Sequence, residues 1–290
     1  MIASVSSYSY SELVSAGRLT QVEVPAKAKE MGFECIEFST LALREGETRA
    51  DVARALRADC DRIGLRVVNY CVAADFLNGS GGDWKAEANR LGSELEIAKL
   101  LGAPSIRHDA TQGYAATHRG PRAFDNALPT LAKGCRAVTE IAQETGLRTM
   151  VENHGFFSQD SERMERLFCA VDHPNFGLLV DVGNFLCVDE VPEKAVGLVA
   201  PYAVHAHVKD FHVKPGSAGD PGGGWFRSRA GNWLRGAVLG HGDVPVAQCL
   251  RLLKDKGYDG PVSYEFEGIE DPLVGIALGR ENLLRFLAEL

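Results

Sequence analysis

The stretch Val204-His205-Ala206-His207-Val208-Lys209-Asp210 sets two histidines and a lysine between small or apolar residues. Period-2 alternation marks a β-strand and puts His205, His207 and Lys209 on one face. Three other apolar runs end on an acid: Glu152 in RTMVENHG, Asp181 in FGLLVDVGN and Glu265 in PVSYEFEG. Two Glu, one Asp and one His make a donor set for one divalent cation. Carboxylate oxygens with an imidazole suit Mn2+, Mg2+ or Co2+, and Zn2+ is possible but less favoured without thiolates. A lone acid at a strand end also serves as a helix cap or a solvated loop residue. Four donors at the ends of four consecutive strands argue for one shared site.

Other candidates surround this set. His205 lies one inward step deeper than His207 and reads as a satisfied core histidine. Glu267 competes with Glu265 but lies one step nearer solvent, so Glu265 is preferred. Arg107 and His108, ending SIRH, read either as substrate contacts or as ordinary surface groups, and Glu37 in ECIEF is open in the same way. His154, two residues after Glu152, and Lys209 are candidate substrate contacts. His241 in LGHGDV reads as structural.

The elements that must position these groups alternate along the chain. Strands are expected at 2–6, 34–38, 65–72, 105–108, 148–153, 176–181, 203–210 and 262–266. Helices are expected at 22–31, 48–63, 84–101, 123–144 with a bend near Pro129, 161–171 capped by Ser161, 193–200, 246–256 and 272–290. Helix–Gly–strand recurs, with Gly32, Gly64, Gly102, Gly146 and Gly257 as stop signals. Such alternation predicts a parallel sheet, and eight units in this length predict a closed (β/α)8 TIM barrel. The carboxyl ends of its strands, where the candidate ligands fall, are then the place for an active site. No G-x-G-x-x-G follows the first strand, which removes the main support for a dinucleotide fold. No linker divides the chain, so residues 1–290 are expected to form one domain.

One long irregular segment, 211–242, follows the seventh strand. It is rich in Gly and Pro and carries Trp225, Arg227, Arg229, Trp233 and Arg235. Long loops of this kind are often lids. A lid over the site would let Trp225 cover the substrate and Arg227 meet its oxygens. The alternative is a surface excursion packed on the barrel or on another subunit, which leaves a homo-oligomer open.

Bulk properties narrow the class. The chain has 290 residues, 45% hydrophobic and 24% charged, as in ordinary globular proteins. Its formal net charge of −8 argues against a nucleic-acid partner and mildly against anionic membranes. No run approaches the ~18 apolar residues of a membrane span. The N-terminus lacks the basic and apolar regions of a signal peptide. The 7 cysteines are scattered without CxxC spacing and read as reduced, mostly buried thiols of a cytoplasmic protein.

The succession VENHG, LLVDVGN, HAHVKD, LRGAVLGHGDVPV and VSYEFEG, with GFECIEF near the start, resembles the xylose-isomerase-like sugar isomerase/epimerase superfamily over nearly the whole chain. The resemblance implies that Glu152, Asp181, His207 and Glu265 hold one divalent metal, and that Glu152 and Glu265 also serve as the acid/base pair. It implies a small sugar or polyol as substrate. Family members include ketose epimerases, hydroxypyruvate isomerase and inosose dehydratase, so the motifs do not choose the substrate. The related apurinic endonucleases carry a His where this chain has Asn184, and another at the end of strand three, where it reads VVNYCV. A trinuclear zinc site, and with it a nuclease, is therefore disfavoured.

On this reading a carboxylate removes a proton next to a carbonyl and an enediolate forms. Returning the proton from the other side inverts the carbon; returning it to the neighbouring carbon moves the carbonyl. Loss of a β-hydroxyl instead gives dehydration of an inosose-like substrate. A metal-dependent isomerase or epimerase is the leading expectation and a dehydratase the runner-up. A non-catalytic sugar-binding barrel stands behind both.

Overall fold

In a computed structural model describing residues 1–290, the chain forms eleven strands. In order they are β1 (Ile2–Ser6), β2 (Cys35–Phe38), β3 (Arg66–Val72), β4 (Ser105–His108), β5 (Arg148–Glu152), β6 (Phe176–Asp181), β7 (Ala203–Val208), β8 (Asp210–Lys214), β9 (Phe226–Arg227), β10 (Trp233–Ala237) and β11 (Pro261–Tyr264). The helices are α1 (Ser11–Ser15), α2 (Val24–Glu30), α3 (Arg49–Ile63), α4 (Trp84–Leu101), α5 (Phe124–Glu144), α6 (Ser161–Val171), α7 (Pro192–Val199), α8 (Val246–Asp255) and α9 (Pro272–Ala288). Strands β1 to β7 and β11 pair in parallel and close on themselves, β11 lying between β7 and β1. This is a TIM barrel.

Local chemistry sets the boundaries. Thr48 caps α3 by accepting from Asp51 N, and Asp83 caps α4 by accepting from Lys85 N and Ala86 N. Gly64 and Gly102 end those two helices in the left-handed conformation, φ 65° and 71°, and release the chain into the next strand. Ser161 does not cap α6: it is the first helical residue, and its hydroxyl binds Glu190 instead. The short α1 has no counterpart in the expected elements, because five residues carry too little period to read.

Strand β6 is buried along its whole length, since helices cover its outer face and the barrel interior its inner one. The main apolar core fills the ring between strands and helices, with Leu56, Leu91, Leu95, Leu131, Leu167, Leu253 and Ile276 all buried there. Inside the barrel the apolar group is small: Cys71, Met150 and Leu179. Met150 and Leu179 lie two residues before Glu152 and Asp181, one inward step below them.

The segment after β7 differs from the expected structureless loop. The chain turns at Lys209, and β8, β10 and β9 form a three-stranded antiparallel sheet. This sheet is tied to neighbouring loops. Arg229 donates to both oxygens of Asp160 at 2.5 and 2.9 Å, and Asp189 accepts from Ser228 Oγ, Ala230 N and Asn232 Nδ2. Gly236 packs edge-on against the chain after β11: a Cβ there would sit 2.0 Å from Glu267 O. Gly236→Ala is therefore expected to cost about 1–3 kcal/mol through overpacking against a backbone that cannot swing aside. A thermal melt checks this; an unchanged midpoint would mean the sheet is not docked there.

All seven cysteines are free and six are buried, Cys169 being the exposed one. No helix is long and apolar enough to cross a membrane.

Candidate metal and active site

Strands β5, β6 and β7 each deliver a donor at or near their carboxyl ends, and Glu265 follows β11 directly. Its amide still bonds Val208 O at 3.0 Å, which fixes it beside β7. The result is one buried cluster in which donor atoms of Glu152, Asp181, His207 and Glu265 all lie within 4.8 Å of one another. His207 Nδ1 faces Glu265 Oε1 at 3.4 Å, Glu152 Oε1 at 3.7 Å and Asp181 Oδ2 at 3.9 Å. That nitrogen is buried without a hydrogen-bond partner. Asp181 Oδ2 also lacks a hydrogen bond, its nearer ion-pair partner being Lys209 Nζ at 3.1 Å. Buried donors and acceptors left open in this way are uncommon.

The ligand atoms are held from behind. His207 Nε2 donates to Glu37 Oε1 at 2.7 Å. The other Glu37 oxygen accepts from Asn69 Nδ2 at 2.9 Å and lies 3.1 Å from His205 Nε2, which also meets Ser263 Oγ at 2.9 Å. Glu152 Oε1 accepts from Asn184 Nδ2 at 2.9 Å, and Glu152 Oε2 pairs with Arg107 at 2.5 Å. Asp181 Oδ1 accepts from the amides of Gly183 and Asn184, and the Asn153 side chain clasps the Asp181 backbone from both sides. Lys209 Nζ sits among Glu265 at 2.6 Å, Asp181 at 3.1 Å and Glu267 at 3.1 Å. A second, smaller group of possible donors is Glu37, Cys71 and His207.

Charges follow from these contacts. Burial opposes ionisation of Glu152, but Arg107 and His207 outweigh it and hold the carboxyl well below its usual range. Burial likewise opposes ionisation of Glu265, and Lys209 and His207 overcome it. Burial pushes Asp181 the other way, up to about 6, with Lys209 opposing and Glu152 and Glu265 adding to the rise. Burial disfavours the His207 cation, yet Glu37 and Glu265 raise its pKa well above the ordinary value.

Residues 25–288 match the model of the xylose isomerase-like TIM barrel family. The chain belongs to that family. It is 24% identical over 265 residues to L-ribulose-5-phosphate 3-epimerase UlaE of Salmonella heidelberg strain SL476, covering 88% of this chain and 85% of that one. Among solved structures it is similar to the IOLI protein with a bound zinc atom, with TM-score 0.76 and 15% identity over 100% of this chain and 99% of that one. It is also similar to the probable 3-DHS dehydratase AsbF of Bacillus anthracis, with TM-score 0.72 and 18% identity over 98% and 99% of the two chains. At these identities the structural likeness shows the fold.

In this xylose isomerase-like chain, the four acid and imidazole candidates meet at one point, and Arg107 and Lys209 touch them. His108 points the other way along its strand, packed edge-on against Phe76. His154 lies one shell out, its Nδ1 2.9 Å from Asp109 Oδ1, while Arg107 reaches the same carboxylate at 3.0 Å. Trp225 and Arg227 are placed differently from expectation. Trp225 stacks with Lys214 and Arg235 at 5.0 and 5.2 Å, and Arg227 lies 3.4 Å over the Trp233 ring while donating to Gly231 O. Their contacts are spent within the inserted sheet. Sequence reasoning missed Asp109 and Asn184 as partners of the cluster and left Glu37 undecided. A charged residue inside the wholly buried CIEF run was the available signal for Glu37.

Proposed function

We propose that this chain is a divalent-metal-dependent isomerase or epimerase of a keto-sugar or related polyol. The observation that carries the reading is the convergence of four donors from four strands, with His207 Nδ1 buried without a hydrogen bond and Asp181 Oδ2 held only by ion pairs. The residues fit one divalent ion: three carboxylates and one imidazole, with the far imidazole nitrogen held by a carboxylate. Glu152, Asp181, His207 and Glu265 would hold it, and when bound it would supply Lewis-acid polarisation of a carbonyl and its neighbouring hydroxyl.

The chain's own residues supply the rest. Glu152 ends β5 and Glu265 follows β11, with β6 and β7 between those strands, so they reach a substrate from different sides. One carboxylate takes the proton from the carbon beside the carbonyl, and the electron pair moves onto the carbonyl oxygen to give an enediolate. The other enters the step as the protonated acid and gives its proton to the opposite side of the same carbon or to its neighbour, and exchange with water resets the pair. Arg107 and Asn184 fix the direction of Glu152. Lys209 is placed to donate to a substrate oxygen beside Glu265.

A dehydratase is the second reading. The observation in its favour is the His154–Asp109 pair near Glu152, where burial lowers the imidazole pKa but Asp109 more than restores it, so the ring is raised and able to protonate a departing hydroxyl. The likeness to AsbF is consistent with it. A nuclease is disfavoured because Asn184 is occupied by Glu152 and Asp181.

Incubation of ketoses with Mn2+ in heavy water tests the proposal. The recovered sugar is expected to gain deuterium at one carbon with no other change in mass; loss of water would select the dehydratase. An unexchanged sugar after prolonged incubation would contradict both.

A pH dependence follows. A metal must displace the protons that His207 and Asp181 carry, so affinity rises with pH. Since the Asp181 carboxyl titrates up at about 6, Mn2+ affinity is expected to fall as pH drops through that value. Calorimetric titration at pH 7.5 and 5.5 checks it, and a pH-independent affinity would count against this ligand set.

A further inference from the structure

A cavity of about 340 Å3 lies at the carboxyl ends of β1 and β11, between the barrel rim and the inserted sheet. Tyr8, Ser11 and Glu12 line it from the β1–α1 side, Phe226 from the sheet, and Phe266 and Glu267 from the chain after β11. Glu267 joins it to the catalytic cluster, because the Lys209 ammonium that binds Glu267 at 3.1 Å also binds Glu265 at 2.6 Å. We infer that this cavity receives the far end of the substrate, that this end is an uncharged polyhydroxyl chain, and that a terminal phosphate is rejected. The inference rests on the isomerase reading and specifies its substrate class.

The charge of the lining decides the point. It contains two carboxylates, Glu12 and Glu267, and no Lys, Arg or His. A phosphate is held by Arg or Lys, or by free amides at a helix N-terminus. Here the cations nearby are committed. Arg107 has Glu152 and Asp109, Arg18 pairs with Asp271 at 2.8 Å, and Lys209 lies on the Glu265 side, where it serves the reacting end of the substrate. Arg235 is next to Gly236 on β10, but alternation puts it on the opposite face from Gly236 and Phe226, over Trp225. The helix ends beside the cavity are acidic as well. Asp271 caps α9 by accepting from Leu273 N, and Glu12 occupies the first turn of α1.

What remains suits a neutral sugar. Phe226, Phe266 and the Tyr8 ring offer apolar faces to C–H groups, while Glu12, Glu267 and the Ser11 hydroxyl offer acceptors to sugar hydroxyls. Glu267, with burial adding to it, keeps the Tyr8 phenol protonated and hence a donor.

The test compares D-ribulose, D-fructose and D-tagatose with their terminal phosphate esters, scored by deuterium exchange in the Mn2+-loaded protein. At least one free sugar is expected to exceed its ester in kcat/KM by about 10²-fold or more, the scale of like-charge juxtaposition. In Glu12→Lys the gap is expected to narrow by about tenfold, since one repulsive charge becomes attractive. Glu12 is exposed, so the variant keeps the fold. Esters that match or exceed the free sugars overturn the inference and leave the isomerase reading standing, and so does an unchanged gap in Glu12→Lys. No exchange with either class overturns both.

Discussion

Glu265→Gln and Glu152→Gln are each expected to lower turnover by about 10²-fold or more, the usual loss when a general acid–base group is removed. Glutamine keeps the size of the side chain but cannot accept the proton from carbon. The two variants should differ in a second respect. Glu152 accepts from Asn184 at one oxygen and from Arg107 at the other, so an amide NH2 at either position would face a donor. Glu152→Gln should therefore also disturb the rim, with a raised KM. Glu265 meets Lys209 at Oε2, and its Oε1 faces His207 Nδ1 at 3.4 Å, so Glu265→Gln has an orientation that keeps the lysine contact. Its loss should be mostly in kcat. Steady-state kinetics with metal content measured in parallel separates these effects. Near-native turnover at either position would remove that residue from the proton transfers.

Glu37→Gln is expected to weaken divalent-metal affinity by about 10–100-fold although Glu37 is outside the four-residue cluster, as is usual for the partner of a ligating histidine. Its carboxylate accepts from His207 at Oε1 and faces Asn69 and His205 at Oε2. An amide cannot accept on both sides: one NH2 would point at a donor, and His207 would lose its fixed direction. Competition with a chelator reads the affinity, and a thermal melt of the metal-free protein reads the fold separately. Unchanged affinity would reduce Glu37 to a buried counter-charge for two histidines.

These residues also mark how far the sequence could be read. The alternation in AVHAHV placed His207 inward, and the acids at the ends of RTMVE and FGLLVD fell where a barrel opens, so the cluster was legible once eight units were counted. Local pattern carries that information because a strand's period is a property of a few neighbouring residues. Glu37 was not legible in the same way. Its partner His207 is 170 positions away, and only closure of the barrel brings the two together. Asp109 sits in a loop and Asn184 opens a short 3-10 helix, Asn184–Val188, and both positions depend on tertiary contacts rather than on period. The inserted sheet was hidden for a further reason. Its strand β9 has two residues, too few for alternation to register, and glycines and prolines flank it. Trp225 and Arg227 therefore looked free to reach the site, whereas pairing of Trp233 with Arg227 across the sheet binds the guanidinium to that ring.

A single metal centre built by four strand ends is what the proposed chemistry requires. Anomalous diffraction from crystals grown with Mn2+ tests it most directly. One peak bonded to Glu152, Asp181, His207 and Glu265 is the predicted result, with Lys209 moved off Asp181 and still beside Glu265. Absence of a peak there, or a peak held instead by Glu37, Cys71 and His207, would contradict it.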